Sequence, residues 1–205
     1  MLKTKESIED WLKKMKIRNY TILKNLNVDV HNSVDLDSLK LKKILIQFNI
    51  VKGSFWCDDN QFKSLEGAPR EVGGHFTCSY NQLKSLEEAP QKVGRDFDCS
   101  NNRLKSLEGA PKVVEGDFNC SFNQLKSLKG APQEVGEDFY CSYNQLESLE
   151  GAPREIGRSF WCDHNQLKTL DYVSQKFESL ISDFGAFTFK EFQKYKRFRD
   201  NLKEF

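Results

Sequence analysis

Six cysteines, spaced 21 residues apart, are the first residues in this sequence whose type and spacing could carry chemistry. They are Cys57, Cys78, Cys99, Cys120, Cys141 and Cys162. A zinc site needs four ligands that converge on one point, whereas one cysteine per stacked turn would form a column with a spacing of about 4.8 Å. A buried free cysteine behaves as a small apolar side chain. The spacing therefore favours a column of core thiols over a metal or redox site.

Carboxylates and histidines are the other candidates for catalysis. The carboxylates that the spacing brings closest are Asp96, Asp98, Asp117 and Asp138. Paired carboxylates are the catalytic groups of glycosidases, but on an open strand surface they keep ordinary acidities. Two histidines, His75 and His164, lie several turns apart and cannot share a metal. We therefore predict no enzyme activity, no cofactor and no metal site.

A 21-residue repeat must position all of these side chains. Six turns follow the frame Phe-x-Cys-x-x-Asn-x-Leu-x-Ser-Leu, with one Phe and one Thr as substitutions, and five of them continue into Ala-Pro. Phe and Cys, two residues apart, point to the same side of a short strand and into the core. The Asn can bend the chain and bond neighbouring backbone groups, and proline then ends the turn. A repeat of this kind predicts stacked turns around one continuous core.

The fold class predicted from this frame is a repeat solenoid of the leucine-rich-repeat-like kind. It has short parallel strands on the concave face, irregular turns on the convex face, and helical caps at both ends. A degenerate first turn precedes the six clear ones, because Val34, Leu36, Leu41 and Ile44 occupy the positions of the repeating apolar residues. We predict an N-terminal cap over residues 1–33, about seven turns over 34–170, and a C-terminal helical cap over 171–205.

Each predicted cap contains recognisable elements. The N-terminal cap has a helix that opens at Ser7, with Asp10 three residues on, and a short strand over residues 28–30. In the C-terminal cap, helical spacing predicts one helix around Phe177, Leu180, Ile181 and Phe184, and a second around Phe189, Phe192, Tyr195 and Leu202. Thr188 and Glu191 are spaced as a capping box for the second helix.

The repeat resembles the leucine-rich-repeat-like solenoid proteins of large tailed bacteriophages and bacteria. Their units are of the type Phe-x-Cys-x-x-Asn-x-Leu-x-Ser-Leu-x-Gly-Ala-Pro, and the resemblance covers about residues 20–170. It implies a binding scaffold, and it extends the hypothesis to a phage factor that blocks a host or defence protein.

The outward positions of the strands are the candidate binding surface. They carry seven Asp, two His and several aromatic residues but no Lys or Arg, and they vary from turn to turn while the core positions do not. Exposed aromatic residues dominate the affinity of many interfaces. We predict a non-enzymatic scaffold that binds a basic protein; the alternative is a merely solvated strand face. The predicted partner-binding residues are Trp56, Asp58, His75, Tyr80, Asp96, Asp98, Asp117, Asn119, Phe122, Asp138, Tyr140, Tyr143, Trp161 and His164.

Composition limits the remaining possibilities. The net charge is +1, and the chain starts without an apolar leader and holds no apolar run long enough for a membrane span. We expect a cytoplasmic protein without a membrane partner, in the host cytoplasm if it is phage-encoded. The acidic strand face would repel phosphate. The alternative function is association with nucleic acid through the basic C-terminal helix, which carries Lys194, Tyr195, Lys196, Arg197, Phe198, Arg199 and Lys203.

Overall fold

The computed structural model describes residues 1–202 as a solenoid in which each full turn adds one short strand to each of two parallel sheets. The elements in chain order are α1 (Lys5–Lys14), β1 (Tyr20–Ile22), β2 (Val28–Val30), β3 (Val34–Asp35), β4 (Phe48–Val51), β5 (Phe55–Trp56), β6 (Glu71–Val72), β7 (Phe76–Thr77), β8 (Lys92–Val93), β9 (Phe97–Asp98), β10 (Val113–Val114), β11 (Phe118–Asn119), β12 (Glu134–Val135), β13 (Phe139–Tyr140), β14 (Glu155–Ile156), β15 (Ser159–Trp161), β16 (Ser179–Ser182), β17 (Gly185–Thr188) and α2 (Phe189–Leu202).

The 21-residue period fixes the register of both sheets. The Phe sheet, which holds the repeating phenylalanines, runs β17-β16-β15-β13-β11-β9-β7-β5-β3, and Phe118 pairs with Phe139 in it. The Val sheet runs β1-β2-β4-β6-β8-β10-β12-β14, and Val114 pairs with Val135. The leucine-rich-repeat-like solenoid predicted from the sequence is confirmed.

The Val sheet is the main feature that the sequence did not predict. Irregular turns were expected on that side, but each turn contributes a two-residue strand there, such as Glu134–Val135. One residue of each such pair is buried and the other is mostly exposed. A single buried residue per turn is too short a pattern to predict a strand.

Side-chain columns from successive turns form the core. The six repeating phenylalanines and six cysteines are buried, and the cysteines are free thiols. The Sγ atom of Cys120 donates to the Tyr140 carbonyl at 3.3 Å, and burial raises the pKa of this thiol. The predicted column of core thiols is thus present.

The repeating asparagines form a second, polar column beneath the bend that follows each Phe-sheet strand. Asn123 is buried; its Nδ2 donates to the carbonyls of Cys99, Cys120 and Ser121, and its Oδ1 accepts from the Leu104 amide. The same pattern recurs at the other five asparagines. These bonds satisfy the backbone groups that the bend would otherwise leave buried and unpaired.

The degenerate first turn adopts the predicted register. Val34 pairs with Phe55 across β3 and β5, and Leu36 and Ile44 are buried. The strand predicted over residues 28–30 is β2, and it pairs with β1 in an antiparallel ladder that begins the Val sheet.

The N-terminal helix begins earlier than predicted. Thr4, not Ser7, is its N-cap: the Thr4 hydroxyl oxygen accepts from the Ser7 amide at 3.2 Å. The prediction failed because Thr4 and Ser7 both suit the N-cap, and only Thr4 has extended backbone angles. From this helix, Ile8, Trp11 and Leu12 are buried against the first turns.

The prediction of the first of two C-terminal helices is wrong. Its residues form an antiparallel hairpin of β16 and β17, in which Leu180 also pairs with Phe160 of the last repeat. The second helix is confirmed as α2, with the capping box between Thr188 and Glu191. Within residues 1–202, no helix is long and apolar enough to cross a membrane.

One turn departs from the repeat in a way that predicts a stabilising substitution. Glu88 has a positive φ of 67°, whereas Gly67, Gly109, Gly130 and Gly151 occupy this position in other turns. A left-handed backbone costs a residue with a Cβ atom roughly 1–2 kcal/mol, part of which glycine's greater unfolded-state freedom offsets. Glu88→Gly is expected to raise the free energy of unfolding in urea by about 0.5–1 kcal/mol.

A matched control for that substitution lies one residue earlier. Glu87 is also exposed but does not have a positive φ, so Glu87→Gly should lower stability through the added freedom of the unfolded chain. Equal effects of the two substitutions would show that the positive φ of Glu88 costs nothing.

Candidate protein-binding face

The outer surface of the Phe sheet and of the bend after it consists of four columns with one residue per turn. The pre-Phe column contains Ser54, His75, Asp96, Asp117, Asp138 and Ser159. The strand column contains Trp56, Thr77, Asp98, Asn119, Tyr140 and Trp161. The serine column contains Asp58, Ser79, Ser100, Ser121, Ser142 and Asp163. The bend column contains Asp59, Tyr80, Asn101, Phe122, Tyr143 and His164.

All six residues of the bend column have a left-handed backbone, with φ between 49° and 55°. This conformation lets the chain turn sharply before the buried asparagine, and among non-glycine residues Asn and Asp tolerate it best. Three turns nevertheless carry Tyr or Phe there. Phe122 and Tyr143 stack with ring centroids 4.3 Å apart, and Tyr143 and His164 with centroids 4.1 Å apart. The bend therefore holds a row of large rings toward solvent.

The strand column contributes a second pair of rings. Tyr140 and Trp161 stack with centroids 6.0 Å apart, and Trp161 is exposed while Tyr140 is half-buried. The Tyr140 hydroxyl donates to Asp138 at 3.0 Å. Burial, followed by this bond to a carboxylate, raises the pKa of Tyr140 to about 12. Tyr140 therefore stays a neutral hydrogen-bond donor at physiological pH.

A shallow groove of about 500 Å³ separates the two aromatic columns. The buried serines of the serine column form its floor. Its lining comprises Ser79, Tyr80, Asp98, Ser100, Asn101, Asn119, Ser121, Phe122, Tyr140, Ser142, Tyr143, Trp161 and Asp163. Rings along both sides and hydroxyl groups beneath give it the mixed apolar and polar character of a recognition groove.

Asp98 supplies the carboxylate in the middle of this groove. It accepts from the Ser100 amide at 2.8 Å and from Asn119 Nδ2 at 3.3 Å. Burial is the main reason why the pKa of Asp98 is raised, with Asp58 nearby adding to the effect. In the described part of the chain, no Lys or Arg lies within ion-pair distance of Asp98.

The aspartates of the pre-Phe column bond to the backbone of the solenoid. Asp96 accepts from the Asp117 amide at 3.0 Å, Asp117 from the Asp138 amide at 2.9 Å, and Asp138 from the Ser159 amide at 2.7 Å. A Cβ atom on Gly116 would come within 2.1 Å of Asp96 Oδ1, so the preceding glycine makes room for this ladder. These three aspartates tie turns together and do not line the groove.

The predicted binding residues therefore fall into two groups. The groove brings together Tyr80, Asp98, Asn119, Phe122, Tyr140, Tyr143 and Trp161. Outside its lining are Trp56, Asp58, His75, Asp96, Asp117, Asp138 and His164. Among these, His75 Nδ1 contacts Asp96 Oδ2 at 2.8 Å, and Asp58 accepts from the Ser79 amide and from the Ser79 and Thr77 hydroxyls.

The contacts predicted from the sequence leave out six residues of the groove: the four serines of its floor, Asn101 and Asp163. Asp163 accepts from the Ser142 hydroxyl and contacts His164 Nδ1 at 2.6 Å. Asn101 is the one small side chain between the rings of Tyr80 and Phe122 in the bend column. Its small size within a column of rings was the signal that could have identified it from the sequence.

The raised pKa of Asp98 predicts a pH dependence of stability. Because its folded-state pKa lies above the ordinary aspartate value, the folded protein is the first to bind the proton as the pH falls. The charge on Asp98 therefore destabilises the fold at neutral pH, and this effect is lost as the pH falls through the folded-state pKa. The free energy of unfolding in urea should therefore rise for the wild-type protein, relative to that of the Asp98→Asn variant, as the pH is lowered. A stability difference that is constant with pH would contradict the assignment.

The basic C-terminal helix does not present the surface expected for binding nucleic acid, in which basic and aromatic side chains alternate. The ring of Tyr195 packs on Phe187 with centroids 5.7 Å apart, inside the cap. A guanidinium nitrogen of Arg199 lies 2.7 Å from Asp171 Oδ1 in an ion pair. The remaining described residues of the set, Lys194, Lys196, Arg197 and Phe198, are exposed. Lys203 lies outside the described residues. Of the two aromatic residues expected to stack on bases, only Phe198 is exposed.

Comparisons with known proteins add little to this geometry. No protein-family model matches the chain, and no curated protein matches it. Among solved structures, the leucine-rich repeat domain of APL1B is similar, with 15% sequence identity and a TM-score of 0.34 over 89% of this chain and 76% of that chain. A structural similarity this weak gives no information on the partner or the mechanism of this protein. Within the described residues, no group of three or more His, Cys, Asp or Glu side chains is arranged to hold a metal ion.

Proposed function

We propose that this protein is a non-enzymatic scaffold that binds a basic protein partner through the groove and its two aromatic columns. The observation that carries the proposal is the row of aromatic residues in the bend column. Binding through such a surface is a common use of leucine-rich-repeat-like solenoids, although the fold alone does not fix a function.

Backbone strain in the bend column supports a binding role for its aromatic rings. A left-handed conformation costs about 1–2 kcal/mol for an ordinary residue and less for Asn or Asp. Asp59 and Asn101 show that the bend accepts the less strained types, yet Tyr80, Phe122 and Tyr143 are used elsewhere. Tyr80 is 62% exposed and Phe122 is 49% exposed, so burial of the rings does not offset the cost of that strain. Strained residues of this kind cluster at binding sites.

The charge of the face indicates the kind of partner. Asp98 and Asp163 lie in the groove, Asp58 beside it, and no Lys or Arg occupies any of the four columns. Complementary charge mainly speeds association and fixes orientation, while exposed aromatic residues supply affinity. A protein with a basic surface fits both properties.

The resemblance to bacteriophage solenoid proteins extends the proposal to a cellular role. In that role, the protein acts in the cytoplasm of an infected bacterium and occupies a host or defence protein. The fourteen residues selected from the sequence remain proposed contacts, with the seven that line the groove as the central ones.

The test is capture of a partner from a bacterial lysate by the wild-type protein and by a Phe122→Asn/Tyr143→Asn variant. Asn is the residue that the same bend carries at position 101, so the variant keeps the backbone type. Tyr172→Asn is the matched control, because Tyr172 also has a positive φ and is exposed, but lies outside the four columns. We expect the wild type and the control to retain a salt-sensitive protein partner that the double variant loses.

Equal recovery of the same partner by all three proteins would overturn the proposal. Loss of the captured material on nuclease treatment would also overturn it, in favour of association with nucleic acid.

A further inference from the structure

We propose that the gap at Asn101 in the bend column is a slot that receives one arginine side chain of the partner. This inference rests on the proposed function and assigns the chemistry of one contact within it. It comes from the spacing of the rings, from the position of Asn101 between them, and from the Asp98 carboxylate in the same groove, which pairs with no Lys or Arg of the described residues.

The walls of the slot are two aromatic rings. Tyr80 and Phe122 lie two turns apart in one column, which corresponds to about 9.6 Å at roughly 4.8 Å per turn. One flat group placed midway between them would contact both rings. In the next turns of the same column this space is filled, because Phe122, Tyr143 and His164 stack at 4.3 and 4.1 Å. Among the described residues, Tyr80 has no stacking partner, and Phe122 stacks with Tyr143 alone.

The small side chain of Asn101 leaves this space open. Its Nδ2 donates to the Ser100 hydroxyl at 3.2 Å, beside the serine column, so the amide is drawn back toward the floor. Both Asn101 and the rings on either side of it line the 500 Å³ groove. The slot is thus part of the groove that already carries the proposed function.

The charge of the slot is set by Asp98, which lines the same groove. Its hydrogen bonds come from neutral groups, namely the amide and the side chain of Ser100 and the side-chain amide nitrogen of Asn119. Desolvation acts against the Asp98 charge, and no cation of the described chain pairs with it. A cation brought by the partner would supply the compensation that the protein itself lacks.

Arginine fits this combination better than any other side chain. Its guanidinium is flat, stacks on aromatic rings, and carries five donors in one plane that can bond a carboxylate. A lysine ammonium is a compact and strongly hydrated charge that cannot contact two ring faces at once. A neutral aromatic group would fill the slot but leave Asp98 without a cation.

The test compares fluorescently labelled nona-arginine and nona-lysine by fluorescence anisotropy at low salt. Wild-type protein should bind nona-arginine about ten-fold more tightly, in keeping with a desolvated cation–π contact. Asn101→Phe fills the slot with a residue that the same bend accepts at Phe122, and it should abolish this preference. Asp98→Asn, which places the residue found at position 119 in the strand column, should weaken the binding of nona-arginine without adding bulk, and unchanged binding would overturn the role given to Asp98.

Asn19→Phe is the matched control, because Asn19 also has a positive φ, of 58°, and is exposed, but lies outside the four columns and leaves the slot open. It should keep the preference for arginine. The proposal is overturned if wild-type protein binds both peptides equally or binds neither. It is also overturned if Asn101→Phe keeps the preference.

The two proposals fail in different ways. If both peptides bind equally and both are lost in the Phe122→Asn/Tyr143→Asn variant, the slot is wrong and the face still binds basic chains. If that variant also captures the same lysate partner as the wild type, the binding face itself is wrong.

Discussion

Replacing Phe118 by alanine is expected to lower the free energy of unfolding by about 3–5 kcal/mol. The Phe118 side chain is fully buried at the centre of the phenylalanine column. Its ring centroid lies 5.3 Å from that of Phe97 and 5.6 Å from that of Phe139, and both pairs are stacked. Alanine would leave a cavity between two neighbours that are held by the sheet register and cannot close it. Urea unfolding followed by circular dichroism measures the effect.

The same turn offers a matched control for that substitution. Phe122 is the same residue type four positions later, but it is 49% exposed and has a left-handed backbone. Phe122→Ala removes about the same side-chain volume without making a cavity, so we expect a change within about 1 kcal/mol. A loss for Phe118→Ala no larger than that for Phe122→Ala would contradict the placement of the core.

Replacing Asn123 by alanine is the second large effect, with an expected loss of about 3 kcal/mol. Its amide makes four buried hydrogen bonds, to the carbonyls of Cys99, Cys120 and Ser121 and from the Leu104 amide, at 2.9–3.2 Å. Alanine leaves all four of these backbone groups without their hydrogen-bond partner. Each buried backbone group left unpaired costs about 1–3 kcal/mol, and the structure can relax around some of them. Urea unfolding again gives the measurement.

Asn101 provides the comparison for this prediction. It is only half-buried, and its side chain bonds one hydroxyl, but Ala tolerates its left-handed backbone less well than Asn, so Asn101→Ala is expected to cost about 1–2 kcal/mol. If Asn123→Ala were no more harmful than Asn101→Ala, the polar column would not hold the turns together.

The sequence predicted the parts of the fold that every turn repeats. The Phe, Cys and Asn columns follow from strict spacing, and this spacing also placed Val34 opposite Phe55 in the degenerate first turn. The Val sheet was missed because each of its strands has a single buried residue. Apolar spacing predicts a helix where β16 and β17 form a hairpin, because neighbours such as Leu180 and Ile181 suit either structure over so short a segment.

The candidate site was predicted less completely, since its chemistry depends on contacts between turns. The register correctly places Asp98 and Asp117 on the outside of the Phe sheet. It cannot show that Asp117 accepts from the backbone of the next turn while Asp98 lies in a groove. The left-handed backbone of Phe122 and Tyr143 likewise cannot be predicted from the sequence, and this strain is what distinguishes the residues proposed to bind a partner from the structural ones.

The free energy of unfolding of the Phe122→Asn/Tyr143→Asn variant tests the central claim most directly. If these rings serve a partner, relief of the left-handed strain offsets the loss of their stacking, which is worth about 0.5–1.5 kcal/mol per ring pair. We predict a stability within about 1 kcal/mol of the wild type. A loss comparable to that of Phe118→Ala would contradict the account, because the rings would then be part of what holds the solenoid together.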